Sequence, residues 1–223
     1  MQHDRAGFLD AHQRATIEAA MARIIPTDDQ PGAREAETVE FLDRYLSGLG
    51  FIYAKPDGSG FETLDGRRAE AWQSRIDILR AKYAAGVLDL DRRSRARFNA
   101  AFVEIGPEQQ DEVLRDVERG DDEPATTLSP AYAIGGPTSS EPALQQTSTE
   151  IELDFFPLLV AHTRQGFYAD PIYGGNKDCI GWQVIGFPGP SSLMEVFTGR
   201  YNTLAWFAEG QDTAVASEND HGG

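Results

Sequence analysis

The chain has 223 residues, of which 40% are hydrophobic, and it carries a formal net charge of −16 at pH 7. This length is sufficient to bury a hydrophobic core, and we expect a single domain over residues 1–223. The excess of acidic residues repels phosphate backbones and argues against nucleic acid as a partner. The only cysteine, Cys179, excludes an intrachain disulfide, a zinc ribbon and a multi-cysteine iron–sulfur site.

We expect no direct membrane insertion. No apolar run approaches the roughly 20 residues that a bilayer-spanning helix needs. The first residues also lack the basic region and following hydrophobic stretch that mark a secretory leader. The sequence as it stands therefore predicts a cytoplasmic location.

The first fifty residues predict two helices. Asp10 and Gln13 form a capping-box pattern at the start of the first helix, and Pro26 is expected to end it. The second helix is expected within residues 33–49, where apolar residues recur at helical spacing. Residues 51–66 contain Gly, Pro and Asp in combinations typical of turns, which predicts an irregular excursion.

The clearest amphipathic helix follows this excursion. Trp72, Ile76, Leu79 and Tyr83 share one helical face, and Gly86 follows where a C-terminal cap is expected. The next segment contains four closely spaced arginines, which we expect to be solvated. A phosphate-binding site is a weaker alternative, because no glycine-rich loop adjoins these arginines. These arginines are Arg92, Arg93, Arg95 and Arg97.

Two further helices are predicted on either side of a long connection. Pro107 suits the first turn of a helix that ends at Gly120. Residues 120–150 show no sustained period and are rich in Pro, Gly, Ser, Thr and acidic residues, which predicts a surface excursion. The apolar stretch beyond it is helix-like, and Pro157 must lie in its first turn or kink it. The expected fold is mainly α, an irregular helical domain with long loops.

Residues 166–190 form a loop rich in glycine, proline and aromatic residues, and their composition argues against regular structure. The aromatic rings either cover the chain's own helical core or bind another protein. If the loop contacts a partner, we expect the interface to contain Phe167, Tyr168, Tyr173, Asn176, Trp182 and Phe187. Asn176 has a second possible role, which is to close a turn.

No catalytic, cofactor-binding or metal-binding residue is assigned. The chain contains no GxSxG, HExxH, Walker or GxGxxG motif, and its four histidines show no paired ligand spacing. His162 is the only candidate for a general base, but it shares a helical face with Phe155 and Leu159, which favours a packed histidine. For Cys179 an inert thiol is favoured over a reactive one, and a bond to a partner's cysteine is left open.

Two strings of residues resemble the gluconate 2-dehydrogenase subunit 3 family, the small or gamma subunits of FAD-dependent gluconate, fructose, glucose and glucoside dehydrogenases. The first string centres on Ile25, Pro26, Asp28, Asp29, Pro31, Gly32 and Ala33. The second comprises Gly166, Phe167, Tyr168, Asp170, Pro171, Tyr173, Gly174, Gly175, Asn176, Gly181, Trp182, Gly186, Pro188 and Gly189. Residues 51–66 and 120–150 match the family poorly.

The resemblance implies a non-catalytic subunit without a cofactor of its own. Its implied partner is a large GMC-type flavoprotein that holds FAD and oxidises a sugar hydroxyl, and whose folding and maturation the small subunit assists. A cytochrome c or another electron acceptor is a further implied partner. The alternative function is a transient folding or export chaperone for such a flavoprotein. A periplasmic location is implied if the partner carries a twin-arginine signal.

Overall fold

The computed structural model describes residues 7–120, 150–190 and 192–200, and this part of the chain is mainly α-helical, as predicted. Its α-helices are α1 (Ala11–Ile24), α2 (Thr38–Ser47), α3 (Gly66–Phe98), α4 (Pro107–Arg119), α5 (Phe155–Tyr168), α6 (Ile180–Val184) and α7 (Leu193–Phe197). Short 3-10 turns occur at Leu49–Phe51, Phe102–Glu104, Pro171–Tyr173 and Lys177–Cys179. The surface excursion predicted at 120–150 lies, apart from its two end residues, outside the described residues.

The start and end of α1 follow the local sequence chemistry. The backbone N–H of Gln13 donates to Asp10 Oδ1 at 2.8 Å, and the Gln13 side chain accepts from the Asp10 N–H at 3.1 Å. This reciprocal pair satisfies two N–H groups that have no partner within a helix. The helix ends at Ile24, two residues before Pro26. The predicted capping box and the predicted end are both confirmed.

The second helix begins later than predicted. The N–H of Ala33 donates to the carbonyl of Ile25 at 2.9 Å, so the chain turns back on α1 before α2 can start. Glu37 then adopts a left-handed conformation, with φ at 49°. Because an L-residue in this conformation interrupts a right-handed helix, α2 starts only at Thr38.

The prediction that Gly86 caps the third helix is wrong. The α3 helix continues through Gly86 to Phe98 and is 33 residues long. A Cβ atom at Gly86 would collide with the ring of Phe155, so this glycine permits close packing of a helix that lies far away in sequence. The helix is ended by Asn99, which has a φ of 57° and donates its N–H to the carbonyl of Arg95 at 3.0 Å.

The arginines near the end of α3 are not all solvated as expected. Arg92 and Arg95 are largely exposed, but the side chain of Arg93 is only 16% exposed. Arg93 donates to Asp89 at 2.7 Å and to the carbonyl of Asp116 on α4 at 3.1 Å. These contacts join α3 to α4, so the guanidinium of Arg93 is engaged within the chain.

The prolines predicted to lie at helix starts do so. Pro107 is the first residue of α4. Pro157 is the third residue of α5, inside its first turn, where its missing N–H removes no intrahelical bond. Helix α5 therefore begins at Phe155 and continues past the proline without a break.

The main hydrophobic core lies between α1, α2, α3, α4 and α5. Its fully buried large side chains include Ile17, Met21, Leu42, Leu46, Leu79, Tyr83, Leu90, Phe102, Leu158 and Leu159. A second, smaller cluster of Ile52, Leu64 and Ile76 lies beneath the excursion at 51–66, which is irregular as predicted and contains one isolated bridge between Ala54 and Phe61. None of the described helices has both the length and the hydropathy needed to cross a bilayer.

Candidate functional site

The stretch from Gly166 to Pro190, here called the C-terminal segment, folds back onto α2 and the end of α5. It begins with the last turn of α5 and passes through two 3-10 turns into α6. The prediction of a wholly irregular loop is therefore wrong in part, because short helical turns alternate with the glycines. These turns are joined to the rest of the chain by close backbone contacts.

Glycines bring the C-terminal segment into direct backbone contact with the helices. A Cβ atom at Gly166 would lie 2.9 Å from the backbone carbonyl oxygen of Thr38 on α2. At Gly175 it would collide with the carbonyl of Gly166, and at Gly181 with the carbonyl of Phe167. Since backbone cannot move aside as a flexible side chain can, only glycine fits at these positions. The glycines that carry the family resemblance thus shape the chain's own fold.

Asn176 closes a turn inside this segment. It is fully buried, its Nδ2 donates to the carbonyl of Ala169 at 2.7 Å, and its Oδ1 accepts from the N–H of Gly181 at 2.8 Å. The N–H of the next residue, Lys177, donates to the carbonyl of Ala36 at 3.1 Å. Of the two roles considered for Asn176, the structure shows the turn-closing one.

Phe167 and Trp182 are also buried by the chain itself, with 1% and 9% of their surfaces exposed. The indole N–H of Trp182 donates to the carbonyl of Tyr168 at 2.8 Å. Its ring meets the ring of Phe187 edge to face, with centroids 5.5 Å apart. Such aromatic pairs stabilise a fold beyond the apolar area that they bury.

The other predicted interface residues retain solvent-accessible surface. Tyr168 is 39% exposed, and Tyr173 and Phe187 are half-buried. The hydroxyl of Tyr173 accepts from the N–H of Ala54 at 3.2 Å, and its ring meets Phe61, so this residue joins the C-terminal segment to the excursion at 51–66. The assignment of the six residues to a partner interface stays a prediction.

Most of the exposed large apolar side chains of the described residues lie at and beyond this segment. Of the seven large hydrophobic residues that are exposed in the described part of the chain, five are Tyr168, Ile185, Met194, Val196 and Phe197. Ile185 and the three residues of α7 were not singled out from the sequence. Their signal is the dense apolar run in and around α7, which lacks the polar face of an ordinary surface helix.

A polar cluster surrounds His162 of α5 in the core. The hydroxyl of Tyr83 donates to Nδ1 of His162 at 2.7 Å, and Nε2 of His162 contacts the carboxylate of Glu150. Arg75 forms an ion pair with the same carboxylate and donates to the hydroxyl of Tyr45 at 3.1 Å. Each polar group therefore has a partner from another part of the chain.

Burial and the positive charge of Arg75 lower the pKa of His162 to about 3, so its imidazole is neutral at pH 7. Burial also raises the pKa of Tyr83 well above its usual value and keeps its hydroxyl a donor. With Nδ1 accepting from Tyr83, Nε2 carries the proton and donates to Glu150. His162 is fully buried. The prediction of a packed histidine is confirmed.

The remaining reactive candidate, Cys179, is half-buried and has no disulfide partner within the chain. Burial and the carboxylates of Asp170 and Asp178 raise the pKa of its thiol, and Lys177 is paired with Glu37. Both observations favour the inert thiol over the reactive one. The described residues contain no cluster of three or more His, Cys, Asp or Glu side chains that would hold a metal ion.

Comparison with known proteins identifies the family. No match was found among curated proteins or among solved structures. The family model described as gluconate 2-dehydrogenase subunit 3 matches residues 11–189, which span well over half of the chain and include both strings of the resemblance. The chain therefore belongs to the gluconate 2-dehydrogenase subunit 3 family.

Proposed function

We propose that the chain is the non-catalytic small subunit of a heteromeric FAD-dependent dehydrogenase. In this proposal the FAD and the catalytic residues belong to a larger GMC-type flavoprotein subunit, which oxidises a hydroxyl group of a sugar or glycoside. The small subunit binds the folded form of the flavoprotein, assists its maturation and stabilises it. Membership of a family named for a dehydrogenase subunit supports the requirement for partner subunits.

The observation that carries this proposal is the combination of a rigid C-terminal segment with exposed apolar side chains at its surface. Gly166, Gly175 and Gly181 hold the segment against the helices, so its shape does not depend on a partner. Tyr168 and Ile185 nevertheless stay 39% and 54% exposed. A preformed apolar surface costs little conformational entropy when it binds, which suits a structural subunit.

The buried cluster around His162 supports a structural role. A general base must reach the proton of a substrate, directly or through one water molecule. His162 is sealed in the core, and both of its ring nitrogens are engaged with side chains of the chain itself. This arrangement argues against His162 as a general base and is consistent with a structural role.

Stabilisation follows from preferential binding to the native state. A ligand present at about 100 times its dissociation constant stabilises the folded form by about 2.7 kcal/mol. Expression of the flavoprotein with and without this chain tests the proposal through soluble yield, FAD content, melting temperature and turnover. We expect all four to fall when the chain is omitted. A flavoprotein that folds, retains FAD and turns over equally well alone would contradict the proposal.

Size-exclusion chromatography during turnover separates the subunit from the transient chaperone. A complex that contains both chains and persists while sugar is oxidised supports the stable subunit. A complex that forms during maturation and is absent from the active enzyme supports the chaperone instead.

A further inference from the structure

We infer that five exposed apolar side chains, here called the apolar face, form the surface that docks on the flavoprotein subunit. The apolar face consists of Tyr168, Ile185, Met194, Val196 and Phe197. The inference rests on the function proposed above and adds to it the location of the contact. It also moves the contact away from Phe167, Asn176 and Trp182, which the chain buries itself.

Helix α7 exposes its apolar side chains to solvent. The helix has the sequence LMEVF, and none of its residues is buried. Phe197 is 73% exposed, Val196 49% and Met194 43%. Burying a Val, Met or Phe side chain is favourable relative to leaving it in water. Three such side chains on one short helix mark a surface that gains stability from being covered.

Residues 179–199 are depleted in charged side chains. Charged residues make up 25% of the chain, yet residues 179–199 contain a single one, Glu195. The core of a protein–protein interface is depleted in charged residues and enriched in aromatic residues and methionine. The same stretch supplies Trp182, Phe187, Met194 and Phe197. Its composition is that of an interface core rather than that of the surrounding acidic surface.

The charge distribution also selects the kind of partner. Binding to an anionic membrane or to nucleic acid draws on Lys and Arg, and residues 179–199 contain neither. The net charge of −16 adds repulsion at longer range. An uncharged apolar face on a subunit of a heteromeric enzyme fits an apolar surface of another subunit, and the subunit required by the proposed function is the flavoprotein.

Part of the apolar face is fixed to the helical core. Tyr168 is the last residue of α5, and its carbonyl accepts the indole N–H of Trp182 from α6 at 2.8 Å. Ile185 directly follows α6. Tyr168 and Ile185 therefore project from elements that are held together before a partner binds, and little ordering is needed on association.

Competition for the purified complex tests the inference: the two subunits from the same source are co-expressed, and each unlabelled full-length variant displaces labelled wild-type small subunit from the FAD-loaded large subunit. Phe197→Asp and Ile185→Asp place a charge in the apolar face, whereas Leu88→Asp places one on α3, at a side chain that is 70% exposed. We expect the first two to weaken binding by about tenfold or more, as at interface hot spots. Leu88→Asp is expected to change affinity by less than about twofold. Circular dichroism verifies that each variant is folded.

The outcomes separate this inference from the proposed function. If the wild-type chain does not bind the large subunit, the proposed function fails. If the wild-type chain binds and neither Phe197→Asp nor Ile185→Asp weakens binding more than Leu88→Asp, the apolar face is wrong although the function stands. Two further measurements use the wild-type chain without the large subunit. Sedimentation detects self-association, and mixing with phosphatidylglycerol vesicles detects membrane binding. Self-association or vesicle binding that Phe197→Asp abolishes, with unchanged affinity for the large subunit, overturns the assigned partner.

Discussion

The core around His162 and the surface around α7 reverse the usual distribution of polar and apolar side chains. In the core, Arg75 and Glu150 carry opposite charges at positions that are mostly shielded from water. At the surface, Phe197 and Val196 present hydrophobic side chains to solvent. Each region contains the residue types that the other would ordinarily contain.

The difference between the two regions lies in whether the chain supplies partners. Each polar group around His162 meets a complementary group, so the cluster is complete within the chain. Met194, Val196 and Phe197 of α7 are exposed, and they are among the large apolar side chains that the described residues leave accessible to solvent. The buried polar cluster therefore serves the fold, whereas the proposed role of the exposed apolar face is association. The experiments below test this distinction.

The largest effect is expected from Glu150→Ala. The change removes the Glu150 carboxylate, which pairs with the buried guanidinium of Arg75 and accepts from His162 Nε2–H. Breaking a buried ion pair in this way costs about 3–5 kcal/mol. Urea unfolding measures the loss, and Glu152→Ala, at an exposed position two residues away, is the control. Equal stability of the two variants would mean that the cluster is not needed for folding.

Gly181→Ala is expected to have the next largest effect. An added Cβ would collide with the carbonyl of Phe167, so the C-terminal segment would have to shift. Overpacking of this kind costs about 1–3 kcal/mol. The control is Gly106→Ala, where the nearest atom to the added Cβ is 3.9 Å away. Thermal melting of both variants shows whether the segment is part of the folded core, and a harmless Gly181→Ala would show that it is not.

A smaller effect is expected from pH. Burial holds the pKa of His162 in the folded chain at about 3, below its ordinary value of 6.5. Between these two pH values the imidazole binds a proton in the unfolded chain but not in the folded chain. The resulting stability is fully present above pH 6.5 and is lost as the pH falls toward 3. The expected slope is on the order of 1 kcal/mol per pH unit. The groups that face His162 are Glu150, Tyr83, Tyr45 and Arg75.

Comparison of His162→Gln with wild type isolates this contribution. Urea unfolding between pH 6.5 and pH 4.5 is expected to show a shallower decline in the variant, because the glutamine cannot gain a proton in either state. His12→Gln is the control, since His12 is partly exposed and contacts Asp91. Parallel declines in His162→Gln and wild type would show that another group dominates the acid sensitivity.

The smallest effect on stability is expected from Phe197→Ser. The side chain is 73% exposed, so its loss is expected to change the free energy of unfolding by less than about 0.5 kcal/mol. Differential scanning calorimetry of the isolated chain measures this change. A loss of more than about 1 kcal/mol would mean that the chain itself covers Phe197, and the contrast between core and surface would no longer hold.

Local chemistry in the sequence was enough to predict the helix boundaries that depend on neighbouring residues. Asp10 with Gln13 begins α1, and Pro107 begins α4, because capping and the missing proline N–H act within one helical turn. Gly86 was misassigned because its role depends on Phe155, which lies in a different helix. The late start of α2 depends on the hydrogen bond between Ala33 and Ile25.

The candidate site was predicted only in part, for a related reason. The composition of the C-terminal segment identified the region, but periodicity could not tell which rings face inward. Phe167 and Trp182 are buried through contacts with Gly181, Gly189 and Tyr168, whereas Ile185 turns outward. Hydrophobic periodicity could not identify the hydrogen-bond partner of His162 either, because Glu150 lies at the end of a segment without a repeating pattern.

The unbroken α3 helix has a consequence for how the molecule unfolds. At about 1.5 Å per residue, its 33 residues span roughly 50 Å. Near its start Ile76 lies in the smaller cluster and Arg75 pairs with Glu150, and near its end Asp91 binds His12 of α1 at 2.7 Å. A break in the middle would have let the two ends melt separately. Because the helix is continuous, local unfolding at one end is expected to destabilise the contacts at the other end. Heating is therefore expected to produce a single cooperative transition.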